Sequence, residues 1–304
     1  MAVDKVCTST LENPGQGGCQ KVNPFLDLVS LFITTDGFSF AAASNMATES
    51  DWQAGIDAQT VFPLQDIYEY EPASEETIYY ESPGGKRIRR RAGKSRYIFK
   101  FDYDFETHKK LQSFTNMDAR VFFGDADGNI KGYNSGTTVI KGFKISMLSA
   151  EPMSEPMQDG TPAWTIIVID LDDPKQWNED GVYVNPTWDI ESLTPLTEVT
   201  LAPTATTVSA SAYEATVYYV DGWTDAGAAN NIPITGLLEE DFIFLKTDGD
   251  ANGAITGFTD NGDGSYAFTF GADLVDGTMD LDDPDGLTDG LNIISGGSCA
   301  VTIP

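Results

Sequence analysis

Apolar and polar positions alternate with period two along much of this chain. The clearest run is 96–105, where Tyr97, Phe99, Phe101, Tyr103 and Phe105 share one side and Lys100, Asp102 and Asp104 the other. Such alternation predicts strands with one side in a core and one in water. Shorter runs of the same kind predict strands near 77–80, 120–123, 130–133, 139–147, 164–171 and 266–270. Ser82-Pro83-Gly84-Gly85 separates the first of these from Lys86-Arg87-Ile88-Arg89-Arg90-Arg91, which reads as a long hairpin with a Pro-Gly-Gly tip. One helix is expected over 106–114, where good helix formers follow Asp104 and His108, Leu111 and Phe114 fall on one side. The apolar run 25–32 follows Asn23-Pro24, a helix N-cap and first-turn pair, yet is short enough to be a strand.

These elements predict a mainly β protein in four parts. Residues 1–24, rich in Gly, Asn, Gln and Pro, read as an extended N-terminal arm. Residues 25–195 form a β-rich body with one short helix. Residues 196–207 are Thr- and Pro-rich and read as a linker, and 208–304 as an all-β module. At 304 residues there is room for two domains with their own cores.

Charge sharpens that division. The net charge is −29, and from residue 197 onward 18 acids face one base, Lys246. A surface this acidic repels a phosphate backbone, so DNA is expected at most as passing cargo. Against this background Lys86, Arg87, Arg89, Arg90, Arg91, Lys94 and Arg96 place seven of the chain's 18 positive charges within eleven residues. A nucleic-acid patch, an exposed loop without a partner and an intermolecular arm are the three readings. The arm is favoured, since a cationic hairpin on so acidic a protein finds its best partner in another copy.

Chemistry is sparse. The one histidine, His108, has no neighbouring nucleophile or orienting acid, and no nucleophile elbow, zinc-protease or phosphate-loop spacing occurs. No enzymatic activity is expected. Cys7, Cys19 and Cys299 lack metal-ligand spacing. Asp248, Asp250 and Asn252 precede Gly253 as in the first half of a calcium loop, but Thr259 stands where the bidentate Glu belongs; a plain turn competes with calcium. Asp125-Ala126-Asp127-Gly128-Asn129 is a weaker version. No apolar run is long enough for a membrane helix, and no recognisable export signal opens the chain, so synthesis in the cytoplasm without export is expected.

Two resemblances follow. Ile232-Pro233-Ile234-Thr235-Gly236-Leu237 with Glu240-Asp241-Phe242, followed by Thr259-Asp260-Asn261-Gly262-Asp263-Gly264-Ser265-Tyr266, resembles bacterial immunoglobulin-like modules of the invasin type. The likeness implies an immunoglobulin-like β-sandwich at 208–304, a spacer or adhesive unit. The whole arrangement resembles the major tail tube proteins of long-tailed bacteriophages. It rests on the strand–helix–strand core over 96–133, the hairpin over 78–96 and the appended module. That likeness implies a tube-type β-barrel or sandwich body, a homohexameric ring that stacks into a tail tube around DNA, contacts with other tail proteins, and a virion location. Another virion or surface component, such as a fibre, capsid decoration or adhesin working through the immunoglobulin-like domain, is the alternative.

Overall fold

The apolar run after Asn23-Pro24 resolves as a strand rather than a helix: β1 (Leu28–Thr35) is buried along almost its whole length. The structure, a computed structural model, describes residues 27–91, 93–102, 105–136, 138–152, 163–178, 180–203, 212–223, 229–246, 255–270, 277–282, 293–295 and 299–301. Of these, 54% lie in strands and 12% in helices, which makes the protein mainly β. The chain divides into two units, Met1–Leu193 and Thr194–Pro304.

In the first unit β1 is followed by two short helices, α1 (Ala43–Met46) and α2 (Glu49–Asp57). Next come β2 (Val61–Leu64), β3 (Ile67–Pro72), β4 (Ile78–Glu81), β5 (Arg87–Arg91) and β6 (Arg96–Asp102). Helix α3 (Phe105–Gln112) leads to β7 (Ala119–Asp125), β8 (Ile130–Asn134), β9 (Ile140–Lys141), β10 (Phe143–Ala150) and β11 (Trp164–Leu171). Helix α4 (Pro174–Asn178) and β12 (Gly181–Val184) complete the unit. The expected helix over 106–114 is therefore present as α3, and among the described residues three further helices accompany it.

Pairing runs β2–β1–β7–β10–β11–β6–β3, all antiparallel, with β8, β9 and β12 branching from β7. The two ends of that path, β2 and β3, are joined only by Gln65 and Asp66, with Asp66 at φ 60°. Three Cα steps span at most ~11 Å. The sheet must therefore roll back on itself, as in a barrel. One core fills it: Leu31, Ile33, Tyr97, Phe99, Val121, Phe123, Phe143, Ile145, Ile167 and Ile169 all point inward.

The outside of the barrel wall is of two kinds. Over β1 and β7 it is dry, because α1 and α2 cover it. Trp52 lies 4.8 Å from Phe32 and 5.1 Å from Phe122 between ring centroids, and its Nε1 donates to Met46 O at 2.8 Å. Over β6 and β11 no described helix lies on the outer face. There Ile98, Trp164 and Ile166 are half-buried, and Tyr68, at a bulge in β3, stacks on Trp164 at 4.4 Å with 66% of its surface exposed.

The second unit contains β13 (Thr197–Pro203), β14 (Ala212–Trp223), β15 (Ala229–Pro233), β16 (Phe242–Lys246) and β17 (Ile255–Asp260). It ends with β18 (Ser265–Phe270), β19 (Gly277–Leu281), β20 (Ile293–Ser295) and β21 (Cys299–Val301). One sheet is ordered β17–β18–β14–β13–β20 with β15 beside β14; the other is β16–β19–β21. Both contribute to a single core of Val199, Leu201, Tyr213, Val217, Phe242, Phe244, Tyr266, Phe268, Met279 and Leu281, so the unit is a sandwich. The stretch expected as a linker, 196–207, thus includes a strand. Val199 and Leu201 alternate into the core, and β-branched Thr suits a pleated surface as well as a linker. The expected arm, 1–24, lies outside the described residues.

Candidate assembly interface

The basic run is where the sequence expects a hairpin, and the ladder explains how it is held. The β3–β6 pairing continues past the barrel through Ala73 N to Arg96 O and Glu75 N to Lys94 O, both 2.9 Å, and reaches Ile78 opposite Arg91. Pro72 opposite Tyr97 and Ile78 opposite Arg91 belong to one uninterrupted register. From Ala73 to the tip the ribbon runs roughly 30 Å. Gly93 is required near its root, since a Cβ there would collide with the Glu75 carbonyl oxygen. At the tip Gly85 takes φ 75° and donates to Ser82 O at 2.8 Å.

Beyond the barrel β4 and β5 pair, among the described residues, only with each other, and both faces are exposed. Tyr80 opposes Ile88, and Ile78 lies two residues from Tyr80 on the same face. Tyr79 opposes Arg89 and Glu81 opposes Arg87 on the other. Ile78, Tyr79, Tyr80 and Ile88 are 46–58% exposed. With Tyr68 they are all the exposed large apolar side chains of the first unit among the described residues.

The seven basic residues do not act as one patch. Arg96 is anchored to Asp170 by two bonds of 2.6 and 2.8 Å, and that hydrogen-bonded pair raises its pKa. Arg91 pairs with Glu75 at 2.9 Å, Arg87 with Glu81 at 3.5 Å, and Lys94 reaches Ser146 Oγ at 3.5 Å. Among the described residues Lys86, Arg89 and Arg90 find no carboxylate. The anchoring pairs fix the root of the ribbon, and the unpaired cations sit toward its tip. A two-stranded hairpin with exposed apolar and cationic faces gains little from its own chain. Two groups were not expected from the charge run: the ribbon's apolar face, and the outward row Ile98, Trp164 and Ile166. The signal for the second was present in Trp-Thr-Ile-Ile-Val-Ile-Asp-Leu, a near-continuous apolar run typical of strands covered on both faces.

The other candidates resolve differently. Asp248, Asp250 and Asn252 lie outside the described residues. In the weaker acidic turn Asp125 is already engaged. Its Oδ1 accepts from Asn129 N and Nδ2, both 2.9 Å, and its Oδ2 from Lys131 Nζ at 2.8 Å, in a site where both charged side chains are buried. The lysine ammonium provides the positive charge that the calcium reading had assigned to a metal. His108 is buried on α3, with Gln112 Nε2 3.2 Å from its Nε2; that amide also donates to Ala150 O on β10. It helps pack the helix against the barrel.

The two halves of the motif in the second unit meet in space. Tyr266 Oη donates to Ile234 O at 2.9 Å and accepts from Leu237 N at 3.3 Å, while Asp260 Oδ2 accepts from Gly236 N at 3.0 Å. Burial pushes the Tyr266 phenol up to about 12. Gly264, at φ 83°, lies so close to Pro233 that a Cβ would come within 2.5 Å of the proline Cβ. These residues lock two loops together and leave no polar group aimed at a ligand. A scan against protein-family models finds no match for this chain, and a search of curated proteins finds no relative.

Proposed function

We propose that this chain is a self-assembling structural protein of a virion, one that forms stacked rings of a tail tube. The observation that carries the reading is the ribbon over 73–94. It leaves a rolled β-sheet, exposes Ile78, Tyr80 and Ile88, and presents Lys86, Arg89 and Arg90 unpaired on a chain of charge −29. An acidic protein spends few of its bases this way unless they meet carboxylates elsewhere, and a neighbouring copy offers many. The rolled first unit, the projecting ribbon and the separate sandwich are the parts that the resemblance to tail tube proteins requires. The parallel pairing of β13 with β20 beside antiparallel strands suits an immunoglobulin-like sandwich, here read as a decorating module. DNA is cargo that slides past acidic groups rather than a ligand.

Negative-stain microscopy and sedimentation of the purified chain test this. Six-fold rings or hollow tubes are expected, and reversal of Lys86, Arg89 and Arg90 to Glu should leave folded monomers. A native chain that stays monomeric at high concentration, or forms trimeric rods, returns the protein to the fibre or adhesin reading.

A further inference from the structure

Both strands of the ribbon are sheet edges. Among the described residues β4 and β5 pair only with each other, and every residue of both is exposed. The hydrogen-bond pattern fixes what each edge offers. Ser82 N donates inward to Lys86 O at 2.9 Å, so in an alternating antiparallel ladder the backbones of Tyr80 and Ile88 also bond to each other. The residues on either side of them, Tyr79 and Glu81 on β4 and Arg87 and Arg89 on β5, therefore turn their N–H and C=O groups outward. The side chains of these four share one face of the ribbon, and Ile78, Tyr80 and Ile88 share the other.

The two edges also differ in charge. Residues 75–81 hold Glu75, Glu76 and Glu81 and no base, whereas 86–91 hold Lys86, Arg87, Arg89, Arg90 and Arg91 and no acid. We propose that the β4 edge of one copy pairs antiparallel with the β5 edge of a second, Tyr79 opposite Arg89 and Glu81 opposite Arg87, so that successive ribbons join into one sheet.

In this register the outward backbone groups of the two edges meet, and the side-chain pairing of the ribbon itself is repeated across the seam. Glu81 gains a second Arg87 besides its own at 3.5 Å. Arg89, which has no carboxylate among the described residues, comes beside the Tyr79 ring of the neighbour, where a guanidinium is attracted to the aromatic face. On the other face Tyr80 comes beside the neighbour's Ile88, so side chains that are exposed in the single chain cover one another.

The two outer edges lie on opposite sides of a ribbon, so one chain cannot join them. The seam takes a second copy, and because its two edges are different the contact is head-to-tail, the kind that closes rings or propagates as a filament. Two β5 edges would set arginine against arginine, and two β4 edges would leave Arg87 and Arg89 without partners across the seam. A second copy is favoured over another protein because both complementary edges belong to this one chain.

The inference rests on the self-assembly reading and names the seam that performs it. It is tested by disulfide trapping with Cys7, Cys19 and Cys299 replaced by Ser. In the proposed register Tyr80 and the neighbour's Ile88 form a non-hydrogen-bonded pair, whose Cα spacing of about 4.5 Å suits a disulfide. A chain carrying Tyr80→Cys is mixed with a differently tagged chain carrying Ile88→Cys and oxidised under assembling conditions. Heterodimers should exceed either homodimer at least about tenfold. Proline tests the backbone bonds: Arg89→Pro removes an outward N–H that the ribbon itself does not use, while Arg89→Ala removes only the side chain. Arg89→Pro should raise the concentration for half-assembly at least about tenfold over Arg89→Ala, with the melting temperature unchanged. Rings or tubes that form without the cross-link, homodimers in excess, or equal assembly of the Pro and Ala chains overturn this seam and leave the proposed function standing. A native chain that does not assemble at all overturns both.

Discussion

The barrel and the sandwich solve the same problem, a core between antiparallel sheets, with opposite electrostatics. The barrel uses ion pairs throughout: Arg96 with Asp170, Lys131 with Asp125, and a cluster in which Asp36 accepts from Arg120 at 2.9 Å and Lys144 at 2.8 Å, with Asp118 also on Lys144. The sandwich has 18 carboxylates and one base from residue 197 onward, so its joints among the described residues are ring contacts and hydrogen bonds to the backbone, such as Gly236 N to Asp260 Oδ2, rather than ion pairs. Phe242 lies 5.2 Å from Tyr266 and 4.9 Å from Phe268, and the Tyr266 hydroxyl ties the loop over 234–237 to the core. A unit held by paired charges and one held by ring contacts and hydrogen bonds to the backbone respond differently to the same perturbation.

The largest effect should come from breaking the buried pair in the barrel. Lys131 and Asp125 keep only 6% and 1% of their side-chain surface exposed. Lys131→Met leaves the carboxylate buried with Asn129 alone as partner and should cost about 3 kcal/mol or more. Removing both charges, as Asp125→Leu with Lys131→Met, should restore most of the loss, since a buried pair gains little over apolar packing. Denaturant melts of the three chains measure this. A single mutant at native stability would show that water reaches the pair.

In the sandwich the corresponding weak point is steric. Gly264→Ala forces a left-handed residue against Pro233 and should cost roughly 2–3 kcal/mol. Hydrogen exchange resolved by peptide should show the loss in residues 212–270 and leave the barrel's protection intact. Loss of protection in both units would mean that they do not unfold separately.

Much of this comparison was legible before the fold was known, and the remainder was not for identifiable reasons. Strand β6 and the ribbon could be read because strict alternation and a Pro-Gly tip are local signals. The paired motif halves in the sandwich could be read because Gly236, Gly262 and Gly264 mark turns that only particular residues allow. Helices α1 and α2 could not. They have four and nine residues, lack a side-chain cap, and owe their stability to burial of Met46 and Ile56 and to Trp52 packing on Phe32 and Phe122 from distant strands. Strand β13 was masked by Thr and Pro content that a linker shares. In the candidate interface the charge run was visible, but which cations are already paired depends on Glu75, Glu81 and Asp170 across the ladder.

A hydrogen-bond deletion at Tyr266 should be milder. Tyr266→Phe removes its bonds to Ile234 O and Leu237 N and should cost about 1–2 kcal/mol. It should also change the alkaline response. Burial raises the phenol's folded value to about 12, so its contribution is complete below the ordinary tyrosine value of about 10 and is lost as pH rises toward 12. The native sandwich should lose stability across that window and the Phe variant should lose less. Equal alkaline slopes would mean that the hydroxyl reaches water.

The smallest expected effect is the barrel's acid limb, and its sign is the reverse. The hydrogen bond from Lys144 holds the Asp36 carboxyl below the usual aspartate value, helped by the Arg120 charge and opposed by partial burial. A lowered folded value contributes stability that is present above the ordinary value near 3.9 and lost as pH falls through the folded one. Asp36 remains 45% exposed, so solvent and salt screen the pair and its share should stay below about 1 kcal/mol. Asp36→Asn should therefore flatten the barrel's stability profile between about pH 5 and 3 by a fraction of that amount, and added salt should shrink the difference further. Peptide-resolved exchange on the full chain can read it, with the sandwich as internal reference. An acid limb unchanged by the substitution would show that the exposed Asp36 pairs contribute nothing measurable to the barrel's stability.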